Sequence, residues 1–206
     1  MAHHPTKTRI LDTALHVIRS KGYTATTIDD ICVASGMTKG GFFHHFNGKQ
    51  DLAIAAAQHF GDMADNLVAH APYQSIEDPL FRLLGYIDFR ISILKGSLPQ
   101  FTCLLGTMLQ EVYETHPAIR EACNQCINAH ASKVASDVAL AKEYYMPQAS
   151  WSAEGLSYHI QAVLQGSFIL AKANGGPQVA AECLQHLRHY IELLFEVPQP
   201  EENELP

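Results

Sequence analysis

Apolar positions along the chain recur three and four residues apart, and no useful stretch alternates with period two, so the pattern predicts an all-α fold. Ile10, Leu11, Ala14, Leu15 and Ile18 give a first amphipathic helix that ends at Gly22. A short second helix follows, with Ile28, Ile31 and Ala34 as its apolar stripe. Thr26 or Thr27 caps it, and the acids Asp29 and Asp30 complete a capping-box pattern. Gly36 supplies the positive φ of a tight inter-helix turn, Met37 follows as an apolar plug, and Thr38 caps a third helix. From Gln50 the series Leu52, Ala56, Phe60, Met63 and Leu67 steps by four, four, three and four. One helix therefore carries a continuous apolar face onward, which makes it the lever between two domains.

Downstream, proline and glycine punctuate each helix. Asp78-Pro79 opens one whose face is Leu80, Leu84, Ile87, Ile91 and Leu94, and Leu98-Pro99 interrupts before FTCLLGTMLQEVY. His116-Pro117 opens a long helix to about Tyr145, Trp151 to Asn174 forms the next, and Gln178 to Phe195 is the last, after Gly175-Gly176-Pro177. A chain of 206 residues accommodates a small first domain over 4–64 and one helical core over 65–197. Residues 198–206 read as a loose acidic tail.

The stretch TIDDICVASGMTKGGFFHHF, residues 27–46, is a helix-turn-helix pattern. Its second helix holds adjacent glycines, Gly40 and Gly41, each costing about 1 kcal/mol against alanine. A helix core would not choose them, whereas a surface that lets backbone approach a duplex would. Charge supports that placement. The formal net charge is −7, but residues 1–50 hold six Lys/Arg and three Asp/Glu, a balance of +3, while the remainder hold eight and eighteen, a balance of −10. A polyanion contact therefore belongs at the amino-terminal end.

With its flanks ILDTALHVIRSKGYTATTI and NGKQDLAIAAA, this motif resembles the amino-terminal domain of the TetR family of bacterial transcriptional regulators. The resemblance covers about residues 6–64, including Gly22, Gly36 and the Phe46, Lys49, Leu52 run. It implies DNA contacts from Thr27, Thr38, Lys39, Gly40, Gly41, Phe43, His44 and Lys49, with the lysines as flexible phosphate-seeking charges. Phe43 departs from the family's usual tyrosine, so apolar contact with sugar or thymine methyl replaces a phosphate hydrogen bond. Phe42 and Phe46, at i and i+4, and Cys32 are expected to pack inward. The resemblance further implies a homodimer formed by the last two helices, whose faces include Leu156, Ile160, Val163, Leu164 and Phe168, then Leu184, Leu187, Tyr190, Ile191 and Leu194. A monomer using both faces internally is the alternative.

A ligand-responsive regulator, a repressor on a palindromic operator released by a small-molecule effector, is the expected function; an activator of the same fold remains open. Phe60, Met63, Phe89, Cys103, Met108, Tyr113, Cys126, His130, His159 and Phe168 are candidates to line a pocket for an apolar or aromatic effector. Cys123, Cys126 and His130 fall on one helical face at i, i+3 and i+7, which leaves a thiol- or metal-dependent helical enzyme as the rival class. Ordinary packing explains the same spacing, no fourth ligand is marked, and no GxSxG or phosphate-cradling loop occurs, so neither catalysis, a metal nor a cofactor is expected. The five cysteines are an odd number, the start MAHHPTKTR lacks an apolar segment, and no apolar run approaches a membrane span, so a cytoplasmic protein with reduced thiols is expected.

Overall fold

Local capping chemistry delimits the helices of the computed structural model, which describes residues 5–197; the expected loose tail, 198–206, lies outside them. The helices are α1 (Pro5–Lys21), α2 (Ile28–Ser35), α3 (Lys39–His45), α4 (Lys49–Ala69), α5 (Pro79–Ser92), α6 (Leu98–Phe101), α7 (Leu104–Val112), α8 (Pro117–Tyr145), α9 (Ala153–Asn174) and α10 (Gln178–Leu194), with a 3-10 turn at Pro72–Ser75. No strand occurs among the described residues. Thr27 is the α2 cap: its hydroxyl oxygen accepts from the Asp30 N–H at 3.1 Å while the Asp30 carboxylate accepts from the Thr27 N–H at 2.7 Å. Gly36 ends α2 at φ +65°, a left-handed turn that any Cβ would strain. Thr38 then caps α3 by accepting from the Gly41 N–H at 3.1 Å. The buried face of α2 is Ile31, Cys32 and Ser35 rather than a stripe ending at Ala34, which is exposed. Ser35 is tolerated there because its hydroxyl donates to the Ile31 carbonyl at 2.6 Å.

Two apolar cores form. The first joins α1, α2, α3 and the start of α4 through Ile10, Leu15, Ile18, Ile31, Phe42, Phe46 and Leu52. It does not stop at residue 64: Leu104, Met108 and Val112 of α7 and Ile119 and Cys123 of α8 complete it. The second core packs α5, α8, α9 and α10 around Leu84, Ile87, Val138, Ile160, Leu164, Leu184 and Ile191. Helix α4 belongs to both, but its apolar face turns. Its first half packs on α1 through Leu52, Ala53, Ala56 and Ala57, and its second half lies along α8. The regular series extrapolated from Leu52 consequently misses: Met63 and Leu67 are 48% and 49% exposed.

The last two helices show a comparable displacement. Leu156, Ile160, Leu164, Phe168, Leu184, Leu187 and Ile191 are buried within the protomer. Of the expected faces Tyr190 stays outside, and the outer apolar surface is completed by Tyr158, Ile169, Leu170 and Leu193.

Candidate functional site: a basic helix-turn-helix face and a cavity behind it

On α3 the aromatic residues divide by register. Phe42 and Phe46 are buried with their rings 5.7 Å apart, whereas Phe43 is 53% exposed. Thr38, Lys39, Gly40 and His44 share the exposed side. The Thr38 oxygen accepts from backbone, which leaves its hydroxyl hydrogen for a phosphate. Thr27 differs, because its hydroxyl already donates to Asp30 at 2.6 Å and a phosphate offers only acceptors. Asp30 also pairs with Lys21 at 2.6 Å, and that bond, with those from Thr27, holds its carboxyl well below the usual range. Lys39 makes a 2.9 Å ion pair with Asp29, exposed on both sides and so readily exchanged for a phosphate. Gly40 is open to solvent, and a methyl at Gly41 would lie 2.8 Å from the Met37 methyl, the free end of a flexible side chain that can move aside. Two exposed cations that the motif alone does not bring in stand alongside. Lys7 lies over the Phe46 ring at 5.5 Å, and the Arg9 guanidinium is 2.9 Å from the Met37 sulfur. Their only sequence signal is the amino-terminal charge balance.

Lys49 corrects the expectation of a flexible charge. Its ammonium is turned inward and donates to the carbonyls of Tyr23, Thr24 and Thr26 at 3.0, 3.3 and 2.9 Å, above the Tyr23 ring. Burial lowers its pKa, and nearby Glu111 partly restores it. From the other side the Glu111 carboxylate of α7 accepts from the N–H groups of Tyr23 and Thr24 at 3.1 and 2.7 Å. The α1–α2 loop is thus held by its carbonyls from α4 and by its amides from α7. Gly22 is required twice here: its φ is +88°, and a side chain would run into Glu111.

Behind the head, α4, α7, α8 and α9 enclose a cavity of about 280 Å³. Phe60, Phe101, Leu105, Leu164 and Phe168 supply apolar walls, with Cys103 and Cys126 between them. Polar groups at its margin are Arg90, His130, Gln161 and Gln165. The Phe60 ring also carries the Arg19 guanidinium at 5.6 Å, and Arg19 donates to the Thr102 carbonyl at 3.2 Å, so the wall touches α1 directly. Burial, and secondarily Arg90, lowers the His130 pKa to about 4. The ring is therefore neutral at physiological pH. Burial raises the thiols of Cys123, to about 12, and of Cys126, which keeps both protonated and poorly nucleophilic.

Comparison with known proteins places this architecture. Residues 10–56 match the family model described as bacterial regulatory proteins, tetR family, and residues 79–187 match tetracyclin repressor-like, C-terminal domain. The chain belongs to the TetR family. It is 25% identical over 167 residues to an uncharacterized HTH-type transcriptional regulator of Lactococcus lactis, covering 81% of this chain and 83% of that one. It is 24% identical over 120 residues to the HTH-type transcriptional repressor DhaR of a Mycobacterium species, 58% and 59% of the two chains. A TetR transcriptional regulator from Chloroflexus aurantiacus superposes with a TM-score of 0.79 at 24% identity, over 90% and 93% of the chains. That last likeness speaks for the fold.

A TetR-family regulator is a transcription factor rather than an enzyme, which removes the thiol- or metal-dependent rival. Among the described residues, no helix is long and apolar enough to cross a membrane. Of the ten expected pocket residues, Phe60, Cys103, Cys126, His130 and Phe168 meet at the cavity. The other five do not. Met63 and Tyr113 face solvent, Met108 is fully buried in the amino-terminal core, Phe89 packs on Tyr73, and exposed His159 lies 5.2 Å from Tyr190. Gln161 was missed although it carries a signal: it sits in the buried stripe Leu156, Ser157, Ile160, Gln161, Leu164 of α9, where a solvent-facing polar residue does not belong.

Proposed function

We propose that the protein is a homodimeric, cytoplasmic transcriptional repressor that binds a palindromic operator and is released by a small-molecule effector. The observation that carries this reading is the sorting of the α3 side chains: Phe42 and Phe46 hold the helix from within, while Thr38, Lys39, Gly40, Phe43 and His44 stand outside. Lys39, with Lys7 and Arg9 beside it, takes phosphates, and so does the Thr38 hydroxyl. Phe43 and His44 reach toward base edges, with Gly40 and Gly41 letting the helix sit close in the groove. Thr27 and Lys49 hold the head in shape instead of touching DNA.

The outer residues Tyr158, Ile169, Leu170, Tyr190 and Leu193 of α9 and α10 pair with their copies in an intermolecular four-helix bundle. This doubles the head on a two-fold axis and sets two half-sites about 34–36 Å apart or a multiple of that spacing. Effector in the cavity presses on walls that reach the head by two routes. Phe60 leads to Arg19 of α1, and Leu105 on α7 leads to Glu111 and the Tyr23–Thr24 amides. The effector lowers operator affinity by as much as its own affinity differs between the two head positions. The name of the DhaR relative, a repressor, favours repression over activation.

The test is selection of sheared genomic DNA by the purified protein at physiological salt. Enrichment of fragments sharing an inverted repeat is expected. Recovery no better than for random duplex refutes the function.

A further inference from the structure

The cavity wall contains hydrogen-bond donors that no group among the described residues satisfies. Gln161 is only 8% exposed, and its amide nitrogen has no partner among the described residues. The Nδ1 atom of His130 is in the same position. Its other nitrogen, Nε2, lies 2.8 Å from the Tyr86 hydroxyl. That phenol is buried with no other partner among the described residues, so it keeps its proton bonded only by donating to Nε2. In the neutral ring the single hydrogen then sits on Nδ1, which is a donor. Arg90 is the third group. It is half-buried at the cavity and has neither a hydrogen bond nor a carboxylate within ion-pair distance among the described residues. Leaving a buried donor unpaired costs about 1–3 kcal/mol, so Gln161 and His130 mark a missing acceptor, and the partly exposed Arg90 cation at the same cavity sets its charge.

The acids nearby do not supply it. Asp65 is held by Lys133 at 2.7 Å, and Asp62 is exposed at the mouth. The rest of the wall is aromatic and aliphatic: Phe60, Phe101, Leu105, Leu164 and Phe168. A volume of about 280 Å³ is at the small end for ligand pockets, which hold one or two rings or a short chain.

We infer that the effector is a small apolar carboxylic acid, bound as its carboxylate by Arg90, His130 Nδ1–H and Gln161 Nε2–H, with its ring or chain against Phe60 and Phe168. This rests on the effector reading above and gives it a chemical class. An anion adds the charge that Arg90 lacks, a neutral carbonyl satisfies the donors without it, and an ammonium ion meets Arg90 with like charge.

Calorimetric titration of the full-length protein, without DNA, tests the class. The probes are 2-naphthoate and octanoate, each against its isosteric carboxamide and methylammonium analogues. At least one acid binds once per protomer, about tenfold or more tighter than its amide, and the ammonium ion binds weakest. Arg90→Met removes the preference of acid over amide while amide binding persists, Arg90→Lys restores part of it, and Gln161→Leu weakens acid and amide alike. Binding of the amide to Arg90→Met shows that the variant is folded. The inference is overturned if neither acid binds, if ammonium analogues bind as tightly as acids, or if the preference survives Arg90→Met. Operator binding is measured separately. Acid that binds without dissociating the operator complex upholds the ligand class and defeats ligand release; dissociation by the ammonium analogue does the reverse.

Discussion

Lys49→Ala separates a residue that shapes the DNA-binding head from one that touches DNA. The wild-type ammonium donates to three carbonyls of the α1–α2 loop, those of Tyr23, Thr24 and Thr26, and stands 4.3 Å from the centre of the Tyr23 ring. A hydrogen bond to a charged group contributes about 1.5–3 kcal/mol. The three share one cation, so they do not add, and the pKa lowered by burial shows that desolvation offsets part of the gain. Truncation therefore costs about 2 kcal/mol, which in a chain of this size lowers the melting temperature by roughly 4–8 °C. Thermal unfolding at fixed protein concentration measures it, since the midpoint of a dimer, as proposed above, depends on concentration. The second assay is the salt dependence of operator binding. Each phosphate contact contributes about 0.9 to the slope of log K against log salt. Lys49→Ala leaves that slope at the wild-type value, whereas Lys39→Ala, which removes one contact from each of the two heads, lowers it by about 1.8 with little change in melting. A Lys49 variant that melts normally and loses slope would refute the reasoning and return Lys49 to the phosphate contacts.

Glu111→Gln weakens the anchoring of the loop amides, so hydrogen exchange at Tyr23 and Thr24 accelerates relative to wild type while amides in α9 are unaffected; uniform protection would remove Glu111 from the connection between cavity and head. Leu193→Asp, on the outer apolar surface, changes the folded protomer by less than about 0.5 kcal/mol but gives a monomer in sedimentation equilibrium and abolishes cooperative operator binding; a persistent dimer moves the interface elsewhere. His130 has a folded-state pKa of about 4, depressed from its ordinary 6.5. Between those values the unfolded chain binds the proton and the folded one does not, so His130 contributes stability above pH 6.5 that is lost as pH falls toward 4, up to about 3 kcal/mol. His130→Gln consequently flattens the acid side of the stability curve in that window, read as melting temperature against pH; an unchanged curve contradicts the burial of a neutral ring.

The head was legible in the sequence because its rules are local. A threonine with an acid three residues on, a glycine at the turn and aromatic residues at i and i+4 each act within one or two turns of helix, and Thr27, Asp30, Gly36, Phe42 and Phe46 stand as those rules require. What failed depends on which neighbour a helix meets. Met63 and Leu67 continue the α4 series, but α4 exchanges α1 for α8 midway and its buried face turns with the exchange. Lys49 has a stem long enough to reach back to a loop more than twenty residues earlier, which spacing along the chain does not encode. Met108 is apolar at an apolar helical position, and nothing in that pattern distinguishes the core completing the head from the wall of a cavity. Arg90 and Gln161 were passed over for the opposite reason: polar residues in helices read as solvated faces until the fold brings them beside Phe60 and Phe168.

Hydroxyl-radical footprinting of the protein on a genomic fragment it selects tests the central claim most directly. Two symmetric protected patches whose centres lie about 34–36 Å apart along the duplex, or a multiple of that, both fading in the Lys39→Ala variant at moderate salt, are the predicted result. A single patch, or two unaffected by Lys39→Ala, would contradict a paired α3 readout.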